Sequence, residues 1–220
     1  MKITIIYDNE VWKKGLEAAW GFSCLVEAYD KTILFDTGGN GRILLGNMKK
    51  LQLDPRAVDS IFISHAHADH TGGLYDFLQI NPCRIYLPLS CPEPPGGGEA
   101  IRVKGPIKIY DNIFSTGELG NVEQSLIIKI SSDTVVVAGC SHAGVRQILE
   151  KANAHGKVKA LIGGLHGFNE FRLVEGLEYI CPTHCTQHKN EIKTLYPDKY
   201  IEGGAGREIN LATQHGLSLY

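Results

Sequence analysis

Within Ile61–Leu74, IFISHAHADHTGGL, three histidines and an aspartate fall inside six residues: His65, His67, Asp69 and His70. Imidazole nitrogen and carboxylate oxygen are the donors that zinc and related divalent cations take from proteins. His65 and His67 are two apart, so in an extended segment both rings face one side and can grip one cation. Asp69 and His70 follow as the chain turns, which aims them at a neighbouring position. Burying four such groups unpaired would be costly, so the cluster reads as part of a metal site. Two histidines do not complete a tetrahedral site, and distant ligands are required. His142, in GCSHAG, and His184, in PTHC, are the candidates. His166, in GGLHG, is a ligand, a substrate contact or a group that orients a ligand. Asp36, in LFDTGG, is either a core-edge carboxylate or an acceptor orienting a ligand histidine. His155, His188 and His215 belong to no such pattern and read as ordinary surface histidines.

Positioning these residues requires strands that end at one edge. Apolar, β-branched runs predict strands at 3–7, 24–28, 32–36, 60–64, 84–87, 107–110, 125–130, 134–138, 160–162, 179–181 and 208–211. Asp36, the histidine cluster, His142, His166 and His184 each stand at or just past the carboxyl end of such a run, where open α/β sheets build their sites. Hairpins are expected across Tyr29–Lys31 and Ser131–Asp133. Helical periodicity predicts helices over 41–51, 71–79, 143–155, 170–177 and 188–195. Early hairpins followed by strand–helix alternation imply mixed sheets with helices packed outside, an α/β or α+β arrangement. The segment 87–100, LPLSCPEPPGGGEA, is too rich in proline and glycine for a regular element. It reads as a surface loop within a single domain spanning 1–220. Gly38–Gly39, Gly72–Gly73 and Gly163–Gly164 read as turn residues. Trp12, Trp20 and Phe22 are assigned to the core in preference to an aromatic wall over the metals.

The 220 residues, 43% apolar and 21% charged, suit an ordinary globular chain. A net charge of −2 and scattered Lys and Arg give no reason to expect nucleic acid or an anionic membrane as partner. No run approaches the ~18 apolar residues of a membrane span. Six cysteines without a C-x-x-C pair fit reduced thiols and a cytoplasmic location, and CPTHC has no second pair with which to form a zinc knuckle.

HAHADH followed by TGGL resembles the HxHxDH signature of the metallo-β-lactamase superfamily. ILFDTGG, STGELG with EQSL, GCSHAG, GGLHG and PTHCT follow in the order of its branch of dihydropterin-forming synthases and related metal-dependent hydrolases. The resemblance runs over nearly the whole chain. It implies an α+β fold, an αββα sandwich of two mixed sheets with helices outside and a metal site along one edge. It also implies two divalent metal ions, with Zn2+ preferred over Mn2+ or Fe2+. His65, His67 and His142 would hold the first; Asp69, His70 and His184 the second, with Asp69 also the catalytic acid–base. Three departures stand out: the usual G-H-T-x-G segment is missing, Cys140-Ser141 replace a metal-bridging aspartate, and Gln187 stands where the branch has glycine, which argues against a phosphate-binding turn there. The implied activity is hydrolysis, by metal-activated water, of a small ester, phosphoester or lactone-like metabolite. A pterin-forming synthase or transferase on the same site, and an iron-dependent oxidoreductase, are the alternatives.

Overall fold

The computed structural model describes residues 1–94, 99–211 and 217–218. Strands β1 (Lys2–Tyr7), β2 (Ser23–Ala28), β3 (Lys31–Phe35), β4 (Ser60–Phe62), β5 (Arg84–Pro88) and β6 (Ala100–Val103) come first. They are followed by β7 (Ile107–Tyr110), β8 (Ile113–Ser115), β9 (Leu126–Ile130), β10 (Asp133–Ala138), β11 (Lys157–Gly164), β12 (Tyr179–Thr183), β13 (Glu208–Leu211) and β14 (Leu217–Ser218). Among the described residues these strands form two sheets, ordered β14-β13-β1-β2-β3-β4-β5-β6 and β12-β11-β10-β9-β8-β7. Helices α1 (Gly41–Lys50), α2 (Ala68–Thr71), α3 (Leu74–Leu78), α4 (Val145–Asn153) and α5 (Lys189–Leu195) complete the set. This is the expected αββα arrangement of mixed sheets.

Both faces of each sheet are buried, which is why the strands read as continuous apolar runs. Ile3, Ile5, Val26, Phe35 and Phe62 of one sheet meet Leu126, Ile128, Val135, Val137 and Ile162 of the other. Phe35 and Phe62 stack with ring centroids 5.4 Å apart. The alternate residues face outwards, onto helices. Leu34, Ile61 and Ile63 pack on Ile43, Leu44, Met48 and Phe77, and Ile127, Val136 and Leu161 pack on Val145, Ile148, Leu149 and Ile192. α1 starts at Asn40, whose side chain accepts from the Ile43 amide, and ends on Lys49 and Lys50 against the helix dipole.

The strands that feed the site run parallel. β3 pairs with β4 and β4 with β5 in one sheet; β10 pairs with β11 and β11 with β12 in the other. Their carboxyl ends therefore open on the same edge of the sandwich.

Several local expectations are corrected. The 71–79 expectation shrinks to α3, Leu74–Leu78, with α2 ending at Thr71 before it. Gly72 and Gly73 fall between the two and press on backbone: an added Cβ would lie 2.3 Å from the Gly39 carbonyl oxygen and 2.4 Å from that of Thr37, respectively. These glycines, with Gly39, are close-packing residues rather than turn residues. The 170–177 segment holds only a 3-10 turn, Phe171–Val174. Strands β6, β8 and β14 were not expected; each is short and only partly apolar. β4 stops at Phe62, leaving Ser64 and His65 free to turn into the site. The hairpins close over Tyr29–Asp30 and over Ser131–Ser132, one residue shorter than expected. The 87–100 stretch joins neighbouring parallel strands β5 and β6, each of which takes a residue or more of it. His215 lies outside the described residues.

Candidate metal centre

Three histidines have one ring nitrogen fixed by an oxygen partner. Ser64 Oγ donates to Asp36 Oδ2 at 2.6 Å, so it accepts from His65 Nδ1 at 2.9 Å. His70 Nδ1 donates to the same Asp36 oxygen at 2.7 Å. His184 Nδ1 donates to Asn9 Oδ1 at 3.0 Å. In each ring the Nε2 lone pair is thereby left for another partner, which is how proteins preset imidazoles for metals. Asp36 itself is anchored by the Ser64 amide at 2.7 Å. Asp36 thus holds His70 directly and His65 through Ser64.

The free nitrogens converge. His65 Nε2 is 3.0 Å from His67 Nδ1, and His184 Nε2 is 3.2 Å from Asp69 Oδ2. His142 packs edge-on to His65 and His67, its ring centroid 4.9 Å from each. His142 Nε2 and His184 Nε2 are buried without a hydrogen-bond partner, an arrangement that is expensive unless something else occupies the lone pair. Donor atoms of His65, Cys140 and His142 lie within 4.8 Å of one another, as do those of His70, Cys140 and His184. This donor set fits divalent cations. All six residues expected as ligands, His65, His67, Asp69, His70, His142 and His184, are brought to one place.

The electrostatics follow from crowding. Burial, then neighbouring imidazoles, pushes His65 and His142 below the ordinary histidine value, and burial takes His184 down to about 3. His70 is the exception: burial opposes its charge, but the Asp36 carboxylate overrides and raises it. Burial raises Asp69, yet His70, its own backbone amide and His184 outweigh that and hold it low, as an anion.

The backbone at the site is bent. Asp36, Ser141, His166 and His184 all have left-handed φ, between 44° and 60°, within three residues of the ends of the strands that deliver them. Such a conformation costs about 1–3 kcal/mol per non-glycine residue, and is held here by surrounding bonds. Ser141 Oγ donates to the Gly164 carbonyl at 2.8 Å, and the Gln187 amide to the His166 carbonyl at 2.9 Å. The His184 amide donates to Asp8 Oδ1 at 3.1 Å, and Ala143 N donates to Glu123 Oε1 at 2.9 Å.

His166 is exposed and 5.0 Å from the His142 ring; it lines an open cavity of about 280 Å³ with His142, Phe168, Asn169 and Glu170. That position suits substrate contact. Trp20 and Trp12 are not in the core: they are 63% and 45% exposed, and Trp20 leans on His184 at 4.9 Å. Phe22 is buried as expected. His155 stacks on Phe114, and His188 pairs with Glu191 at 3.1 Å. Sequence reasoning did not single out Asn9, Ser64, Glu123 or the Cys140 thiol. Two of them carried a signal: Glu123 opens EQSL, and Cys140 stands two residues before His142.

The metallo-β-lactamase superfamily, as a family description, matches residues 21–184. The 7,8-dihydropterin-6-methyl-4-(β-D-ribofuranosyl)-aminobenzene-5′-phosphate synthase of Methanocaldococcus jannaschii is 28% identical over 256 aligned residues, covering 84% of this chain and 85% of that protein. A ribonuclease Z of Pediococcus pentosaceus is 32% identical over 107 residues, covering 48% of this chain and 30% of that protein. A solved metal-dependent hydrolase of the β-lactamase superfamily superposes with a TM-score of 0.77 at 24% identity, covering 96% of this chain and 99% of its own. With the histidine cluster at the turn from β4 into α2 and the family match running from the first loop to His184, the chain belongs to the metallo-β-lactamase superfamily.

Proposed function

We propose that the chain is a metal-dependent hydrolase with two adjacent cation positions. His65, His67 and His142 serve the first position, and Asp69, His70 and His184 the second. The observation that carries this reading is the set of preset imidazoles, with Nδ1 of His65, His70 and His184 each engaged by an oxygen and Nε2 turned towards other donor groups of the cluster. Divalent cations bound there would supply Lewis-acid polarisation of a substrate oxygen and an acidified water, with a pKa near ~7.

The chain's own residues supply the rest. Asp69, kept anionic beside His184, accepts a hydrogen bond from the attacking water and aims it. Exposed His166, on the wall of the open cavity, is placed to give a proton to a departing oxygen. Trp20 flanks the opposite histidine, His184, and offers an aromatic face to the substrate. The substrate class is a small ester, phosphoester or lactone-like metabolite. The direct test is a panel of phosphodiesters, thioesters and lactones with the metal-loaded protein. Turnover of at least one class, lost in His67→Ala and on chelation, supports hydrolysis; intact metal binding with no turnover of any member contradicts it.

A second reading, condensation or transfer on the same site, is favoured by the likeness to the archaeal synthase. It predicts consumption of a pterin substrate without net hydrolysis.

A further inference from the structure

Cys140 is the donor that the histidine and carboxylate pattern leaves out. It follows β10, is buried, and its Sγ lies 3.1 Å from His70 Nε2. It belongs to two donor sets at once: with His65 and His142 on one side, and with His70 and His184 on the other. A thiol has one weak proton to donate. It therefore satisfies at most one of the nitrogens around it, whereas His142 Nε2 is buried without a hydrogen-bond partner and His184 Nε2, on a wholly enclosed side chain, faces the Asp69 carboxylate at 3.2 Å. Lone pairs that face one another across a sulfur call for cations, and thiolate is a strong ligand for zinc.

We propose that Cys140 is a metal ligand shared by the two cation positions, its sulfur completing the His65–His142 set and the His70–His184 set together. The proposal rests on the metal-centre reading above and adds to it the ligand that joins its halves. On binding, the S–H bond breaks, its proton passes to solvent and sulfur–metal bonds form; no electron changes hands. A sulfur among imidazoles biases the centre towards zinc and cobalt and away from manganese and magnesium. Cys185 provides an internal control. Its side chain hydrogen-bonds that of Cys140, its Sγ lies 3.9 Å from the Cys140 carbonyl oxygen and packs over Gly164, and it belongs to neither donor set.

The experiment is titration of the full-length, metal-free protein with Co2+, followed by absorption spectroscopy. Wild type and Cys185→Ser should both develop a near-ultraviolet sulfur-to-cobalt charge-transfer band alongside the visible ligand-field bands. Cys140→Ser should lose that band and bind cobalt at least tenfold more weakly. Cys140→Asp should also lose it while recovering cobalt stoichiometry and shifting preference towards Mn2+. Ligand-field bands without the charge-transfer band in wild type would overturn the role of Cys140 and leave the histidine centre standing. Failure of wild type to bind cobalt at all would overturn both. Because the decisive spectra are those of wild type and Cys185→Ser, a poorly folding Cys140 variant leaves the test intact.

Discussion

Asp36 Oδ2 lies 2.7 Å from His70 Nδ1, and both side chains are fully enclosed. The same oxygen receives the Ser64 hydroxyl, which in turn holds His65. One carboxylate on the loop after β3 therefore orients a histidine of each expected cation position. Asp36→Asn should weaken metal at both positions together, on the order of 10–100-fold. Ser64→Ala, which touches only the His65 arm, should weaken one. Competition against a chromophoric chelator separates the two patterns, and equal effects from both variants would contradict this relay.

His67→Ala and His142→Ala should each lose metal from the first position, and His184→Ala from the second. His155→Ala, which removes a ring stacked on Phe114, should leave metal content unchanged. Full metal content in His142→Ala would make that residue a bystander.

The pH dependence of the metal-free protein follows from linkage. His65, His142 and His184 have folded values below 6.5, so the unfolded chain binds more protons as the pH falls below that point. Their stabilising effect is present above pH 6.5 and is lost on acidification, over a window reaching down to about 3 for His184. His70 acts with the opposite sign: raised by Asp36, it stabilises below pH 6.5 and that part is lost as pH rises through its folded value. His155 is lowered by burial as well, while Asp8, pushed up to about 6 by burial, and Glu123, also raised by burial, act with the sign of His70. With four depressed imidazoles against these three groups, the metal-free protein should melt at a lower temperature at pH 5 than at pH 7, and His184→Gln should flatten the slope. A flat calorimetric profile in wild type would contradict the burial of neutral imidazoles.

Gly72→Ala should destabilise by about 1–3 kcal/mol or more, since its Cβ would strike the Gly39 backbone and neither segment can move without shifting the histidine turn. Phe62→Ala, in the inter-sheet stack, should cost about 3–5 kcal/mol and leave the site geometry intact. Urea denaturation measures both, and only Gly72→Ala should also reduce metal affinity.

The candidate ligand cluster was legible because HAHADH places four donors within six residues, and because a polar residue of the site follows each of the apolar runs β3, β4, β10, β11 and β12 within four positions. The residues that orient the ligands were not. Asn9 and Ser64 are single polar residues of common type, and Asn9 meets His184 from 175 positions away in the sequence. Trp20 was misplaced because aromatic residues usually serve burial, whereas here the ring leans on His184 at the rim. The 71–79 segment has helical periodicity throughout, yet its helix begins only at Leu74, after Gly72 and Gly73, which press on the backbone of Thr37 and Gly39. β6 and β8 gave little apolar pattern because they are short and lie towards the sheet edges.

The most direct test of the central claim is metal content, by elemental mass spectrometry, of protein purified without added metal. The two-position centre predicts about two equivalents of zinc per chain, falling in His67→Ala and unchanged in His155→Ala. No bound metal, even after reconstitution with zinc, manganese or iron, would contradict it.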